Sequence, residues 1–151
     1  MRWTFGNMLT RLLWGGTTLR AAEGKLLEIA VAELPPAIRT TVETQLAAYN
    51  LAQREVDGRT INFYRKANKD ARGTTSMPRL QTPQAEAPLV RIKVCFDNAN
   101  EPVHAVLTAV SGRVFCLTLS RAITPKDDAT RASLQDSVAS WRSTVITDAT
   151  G

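Results

Sequence analysis

The feature that most constrains the fold is a change of hydrophobic period at Val56-Asp57-Gly58. Upstream, apolar residues recur every three or four positions, as in Ile38, Val42, Tyr49, Ala52 and Val56; downstream they alternate, as in Val90, Ile92, Val94 and Phe96. The first spacing lines one stripe of a helix and the second lines one face of a strand. A helical half followed by a sheet-forming half places the chain in the α+β class.

The helical half divides at Pro35-Pro36. Residues 18–33 predict a helix capped by Thr17 or Thr18, with Leu19, Ala22, Leu26, Ile29 and Ala30 on its buried stripe. The next helix accepts proline in its first turn and is predicted to run to about Val56, where Asp57-Gly58 ends it. Ahead of both, residues 2–14 set Trp3, Phe5, Met8, Leu9, Leu12 and Leu13 among polar and basic positions, with Gly15-Gly16 as the stop. This aromatic, basic, acid-free stretch resembles an interfacial helix or a mitochondrial-type presequence; the plainer expectation is a helix docked on the domain or on a second subunit.

In the second half, Thr60-Ile61-Asn62-Phe63-Tyr64 predicts a first strand, and residues 67–88, with Gly73, Pro78, Pro83 and Pro88, a long mobile loop. Three strands are predicted over Leu89–Asp97, Val103–Val110 and Arg113–Arg121. A simple two-residue turn at Ser111-Gly112 would set Leu107 against Cys116. A three-residue loop with Gly112 as the bulge residue instead pairs Ala109 with Arg113 and Leu107 with Phe115. One face then carries Val90, Ile92, Val94, Phe96, Val103, Ala105, Leu107, Phe115, Leu117 and Leu119, and the helices should cover it. Finally, Thr124-Pro125-Lys126-Asp127 reads as a capped helix start, after which Leu134, Val138, Trp141 and Val145 repeat at helical spacing.

The expected fold is therefore an antiparallel four-stranded sheet with helices packed on one face, N-terminal helices preceding the sheet and a C-terminal helix following it. Residues 1–16 form an arm, 17–144 a single domain and 145–151 a tail. The layout is similar in topology to cystatin-like folds, a likeness that assigns no residues.

Charge is unevenly placed. The chain has 151 residues, 44% of them hydrophobic, and a net charge of +5. Residues 59–79 hold Arg59, Arg65, Lys66, Lys69, Arg72 and Arg79 against Asp70 alone, so this one stretch could supply an anion-binding or nucleic-acid-binding site, with Phe63 and Tyr64 beside it to stack on bases. It lacks an RNP-type strand, a zinc-finger spacing and a GxxG clamp. No apolar run approaches the roughly 20 residues of a membrane span. Cys95 and Cys116 have no CxxC spacing and are expected to be reduced packing residues. Arg11 interrupts any secretory apolar stretch and no Asn-x-Ser/Thr occurs, so a cytoplasmic protein is expected, or an organelle-matrix one if residues 1–20 act as a targeting segment.

The inferred register sets Cys95 beside His104 and Cys116 one diagonal step away, a speculative thiol and imidazole cluster for nucleophilic or metal chemistry. A third, orienting group is missing, and the arrangement reads more simply as a semi-exposed sheet face. Asp97-Asn98-Ala99-Asn100-Glu101-Pro102 gathers oxygen ligands but fails the EF-hand pattern and reads as an Asx-rich hairpin connection. No catalytic residue, metal or cofactor is assigned. The leading expectation is a non-enzymatic interaction module or small assembly subunit, binding a protein partner or itself through Trp3, Leu9, Leu13, Trp14, Val106, Val110 and Val114. The alternatives are nucleic-acid or ribonucleoprotein binding through residues 59–79, and a ligand carrier or enzyme using a sheet–helix pocket with Cys95, His104 and Tyr64.

Overall fold

The computed structural model describes residues 19–49, 51–64, 77–82, 84–97, 101–139 and, for the backbone, 144–146. In chain order the elements are α1 (Ala21–Ala32), α2 (Pro36–Ala48), β1 (Leu51–Arg54), β2 (Thr60–Tyr64), β3 (Arg79–Gln81), β4 (Glu86–Phe96), β5 (Val103–Val110), β6 (Arg113–Leu119), the single turn α3 (Pro125–Asp128), β7 (Ala132–Ala139) and β8 (Thr144–Ile146). The fold is α+β with an antiparallel sheet. That sheet has six strands in the order β1-β2-β6-β5-β4-β7, not four, and β3 and β8 form a separate two-stranded ribbon. β4, β5 and β6 make a meander and β7 returns beside β4, a Greek-key arrangement.

Two sequence signals that suggested helix serve strands. Asp57-Gly58 does not stop α2, which ends at Ala48; it turns the β1–β2 hairpin, where Leu51 pairs with Tyr64 and Arg54 with Ile61. Asp57 Oδ1 accepts the Arg59 amide at 2.8 Å and Gly58 takes φ +70°, the left-handed conformation that glycine adopts without strain. The Thr124 cap is present, with Asp127 Oδ2 accepting the Thr124 amide at 2.7 Å, but the helix lasts one turn. The predicted C-terminal helix is replaced by β7, which satisfies the outer edge of β4. Its apparent helical spacing comes from a bulge. Leu134 pairs with Val94 and Asp136 with Lys93, leaving Gln135 unpaired, so Leu134 and Val138 lie on opposite faces despite their even separation. Trp141 lies outside the described residues.

The β5–β6 register also differs from expectation. Val110 pairs with Arg113, so Ser111-Gly112 is a two-residue turn, with φ +51° and +79°. Ala109 then pairs with Val114 and Thr108 with Cys116, so the extra residue is Phe115 rather than Gly112. Displacing the bulge by three residues sets Leu107 opposite Leu117 instead of Phe115. It also exchanges Val114 for Phe115 in the core: Val114 is 1% exposed and Phe115 36%.

One sheet face and the helices share a single apolar cluster that includes Leu26, Leu27, Val42, Leu46, Val94, Phe96, Leu107 and Leu117. α1 packs on β4, β5 and β7, and α2 on β6, β3 and β8. Each such leucine contributes roughly 1.5–3 kcal/mol by leaving water. Polar pins fix the edges of this layer. Glu23, 1% exposed, accepts the Arg20 amide at 2.7 Å and Arg54 Nε at 2.8 Å, while Asp128 Oδ1 accepts the Ala22 amide at 3.0 Å. The α1 start is therefore capped by an acid three residues in and by a carboxylate from α3. Among the described residues no helix is long and apolar enough to cross a membrane.

Candidate functional site

Strand alternation makes the second sheet face. On β4 the residues between the buried valines and isoleucine are Arg91, Lys93 and Cys95; on β5 they are His104, Val106, Thr108 and Val110; on β6, Cys116 and Thr118. These side chains are mostly exposed or half-buried, and no described element packs over them. Register sets them in rows across the strands. Asp136, Lys93 and His104 form one row, Val138, Arg91, Val106 and Thr118 the next. Cross-strand neighbours of this kind have Cβ atoms about 5 Å apart and act on each other directly.

The apolar content of this face lies at two places. Bulging at Phe115 brings its ring against Tyr64 on β2, centroids 6.0 Å apart and planes at 88°, an edge-to-face pair. On the opposite flank, Val138 of the edge strand is 61% exposed beside Arg91. Between them, Arg91, Lys93, His104, Val106, Asp136 and Val138 line a hollow of about 150 Å³.

The predicted thiol and imidazole cluster does not assemble. Lys93, not Cys95, opposes His104; Cys95 pairs with Ser133, and Cys116 with Thr108. The His104 backbone is held instead by Ser120, whose Oγ accepts the His104 amide at 2.9 Å. Burial pushes the Cys116 thiol up from its ordinary range, which keeps it protonated and a poor nucleophile. Among the described residues no group of three His, Cys, Asp or Glu side chains could hold a metal ion. Tyr64, Cys95 and His104 also lie away from the helices, so they line no sheet–helix pocket. Asn98 to Asn100 lie outside the described residues.

The predicted basic set divides. Arg59 sits in the β1–β2 turn beside Asp57, and its carbonyl accepts the Leu119 amide at 2.7 Å. Arg79 opens β3 at the other end of β6, where the Leu80 amide donates to the Gly112 carbonyl at 2.8 Å. The seven residues of β6 separate the two by about 20 Å. Arg65, Lys66, Lys69 and Arg72 lie outside the described residues, as do Trp3, Leu9, Leu13 and Trp14. Of the predicted interface valines, Val106 and Val110 stand half-buried on the open face and Val114 belongs to the core.

Sequence reasoning passed over Arg91, Lys93 and Asp136. The first two were accessible to it, since they alternate with Val90, Ile92 and Val94 and must point away from the core. Asp136 was hidden by its assignment to a helix. Comparison with protein-family models, with curated proteins and with solved structures finds no match to the chain.

Proposed function

We propose that the protein is a non-enzymatic interaction module that docks a protein partner on the open face of its sheet. The observation that supports this most is the pairing of exposed apolar groups (Phe115, Val138) and half-buried ones (Tyr64, Val106) with the unpartnered cations Arg91, Lys93 and Arg113 on one surface. A partner segment with apolar anchors and acidic flanks complements such a face. The test is site-specific photocross-linking in cells, with the reactive side chain at Val106 or Val138 on the sheet and at Glu28 on the exposed side of α1. A discrete adduct formed from the sheet positions and not from position 28 supports the reading, and its mass separates a second copy from another protein. Equal or absent adducts at both places sink it.

Nucleic-acid binding is the second reading, favoured by one specific placement. Tyr64 and Arg79, which flank the basic stretch, both stand at the Ser111-Gly112 end of the sheet beside Arg113 and the Tyr64–Phe115 pair. Aromatic rings next to cations suit a single strand. Binding to a labelled random-sequence RNA or DNA should then fall steeply with salt, with a shallower slope in the R65A/K66A/K69A variant. No binding at low salt would remove this alternative.

A further inference from the structure

We infer that the hollow between β4, β5 and β7 is a binding site for a phosphomonoester group. Its N–H donor lining comes from three side chains that the fold brings together from two strands. Arg91 and Lys93 are two positions apart on β4 and point to the same side, and His104 stands opposite Lys93 on β5. Among the described residues none of the three side chains makes an ion pair or a hydrogen bond. Three other described cations are paired, Arg54 with Glu23, Arg121 with Asp127 and Arg59 with Asp57, whereas Arg91 and Lys93 are not. Two cations and an imidazole without a protein partner thus stand around one concavity with N–H groups free to donate to an anion, while Asp136 and Ser137 line its β7 side.

The size and the remaining walls narrow the ligand. A half-open hollow of about 150 Å³ has room for a compact tetrahedral anion with a short stem. Val106 and Val138 give that stem an apolar wall. Asp136 faces Lys93 from β7 and already accepts the Ser137 amide at 2.9 Å through Oδ1. Its charge interrupts the positive lining on the β7 side, so a polyanion running across the strands meets repulsion there, whereas one dianion can sit on the Arg91 and His104 side of Lys93. A phosphomonoester, doubly charged near neutral pH, gains more from clustered cations than a phosphodiester does. The site is independent of whether the sheet face yields partner cross-links, because a free small molecule could fill it.

The experiment is an amide-resolved magnetic resonance titration of the full chain at constant ionic strength. The probes are inorganic phosphate, O-phosphoserine, a phosphoserine peptide, a single-stranded oligonucleotide and chloride. Saturable shifts with phosphate and O-phosphoserine, confined to residues 91–93, 104–106 and 136–138, are the expected result. Affinity should drop by about tenfold or more in the R91Q/K93Q variant, whose other amides stay in place, and rise by about threefold in D136N, which removes the opposing charge. A peptide that binds more tightly than O-phosphoserine identifies a protein-borne phosphate as the source, and equal affinity a free one; both support the site. Non-saturable shifts, shifts reproduced by chloride, binding untouched by R91Q/K93Q, weaker binding in D136N, or shifts at these amides with the oligonucleotide alone would each overturn it.

Discussion

Gln45 and Val114 are joined across the core: the Gln45 Oε1 accepts the Val114 amide at 2.8 Å from the last turn of α2. The same side chain donates through Nε2 to the carbonyls of Pro78 at 2.7 Å and Gly112 at 3.0 Å. With no exposure of its own, Gln45 joins three backbone groups beside the β6 bulge, the Val114 amide, the Pro78 carbonyl and the Gly112 carbonyl, which also accepts the Leu80 amide. Gln45→Glu retains the shape but cannot donate to the two carbonyls at neutral pH. It is expected to cost about 2–4 kcal/mol in urea unfolding at pH 7, since buried acceptors lose their donors and a charge is buried. A loss under about 0.5 kcal/mol would mean that the clasp contributes nothing net.

The adjoining turn predicts opposite signs for neighbouring substitutions. A Cβ on Gly112 would stand 2.3 Å from the Leu80 carbonyl oxygen and would be held at φ +79°. Gly112→Ala should therefore destabilise by more than about 3 kcal/mol or prevent folding. Ser111, at φ +51°, is exposed and asks only for a residue tolerant of the left-handed region. Ser111→Asn should raise the unfolding midpoint, by the equivalent of about 0.5–1 kcal/mol. Thermal unfolding of both variants checks the pair, and an unstabilised S111N would argue against the two-residue turn.

Acid stability is predicted to rest in part on Asp127. The Arg121 guanidinium, at 2.7 and 3.0 Å, and the Thr124 amide and hydroxyl hold its carboxyl down at about 2 against an ordinary 3.8. Because the folded value is depressed, the stabilisation is complete above about pH 4 and is lost as pH falls through 2. Its size is on the order of 2 kcal/mol for a shift of this extent. Urea midpoints of the wild type should fall between pH 4 and pH 2. In Asp127→Asn they should start lower at pH 7 and fall less over that interval, and parallel curves would exclude the assignment.

Tyr49 makes the converse prediction in alkali. Its hydroxyl donates to the Val114 carbonyl at 2.6 Å, and burial pushes its ionisation up to about 12, with Arg113 acting slightly the other way. A raised folded value means that stability is fully present below pH 10 and drains away as pH rises toward 12. Ultraviolet titration of the phenols should show a component near pH 12 that Tyr49→Phe removes. That variant should also cost about 1–2 kcal/mol at neutral pH through the unpartnered carbonyl.

The ion pair of Glu23 with Arg54 is expected to be asymmetric on deletion. Arg54→Leu leaves a carboxylate that is 1% exposed without its cation and should cost about 3 kcal/mol, whereas adding Glu23→Gln to that variant should restore part of the loss. Additive effects in this double-mutant cycle would show that the two do not couple.

Much of the sheet was legible because strand alternation is local. Val90, Ile92, Val94 and Phe96, then Val103, Ala105 and Leu107, declare one face without reference to any partner, and Arg91, Lys93 and His104 must therefore share the other. Helix initiation was legible for the same reason, since Pro36 and the Thr124–Asp127 pair act within one turn of their own positions. Local signals failed where two structures share a spacing. Asp57-Gly58 serves a helix end or a hairpin turn, and the separation of Leu134 from Val138 suits a helix or a bulged strand.

By itself, then, the sequence determined the class, the starts of α2 and α3, the strand interiors and which side chains of β4 and β5 leave the core, all of which follow from interactions spanning a few residues, whereas α1 is capped at Arg20 rather than at Thr17 or Thr18. Only the tertiary structure decided that residues 51–54 and 132–139 become edge strands, because a strand needs a distant backbone to pair with. It alone placed the bulge at Phe115 rather than Gly112, with Gln45 on α2 holding the Val114 amide and Val114 buried in the core. The hollow of Arg91, Lys93, His104 and Asp136 depends on those same pairings. Its residues are separated by up to 45 positions in the chain and meet because β5 and β7 pair with the two sides of β4.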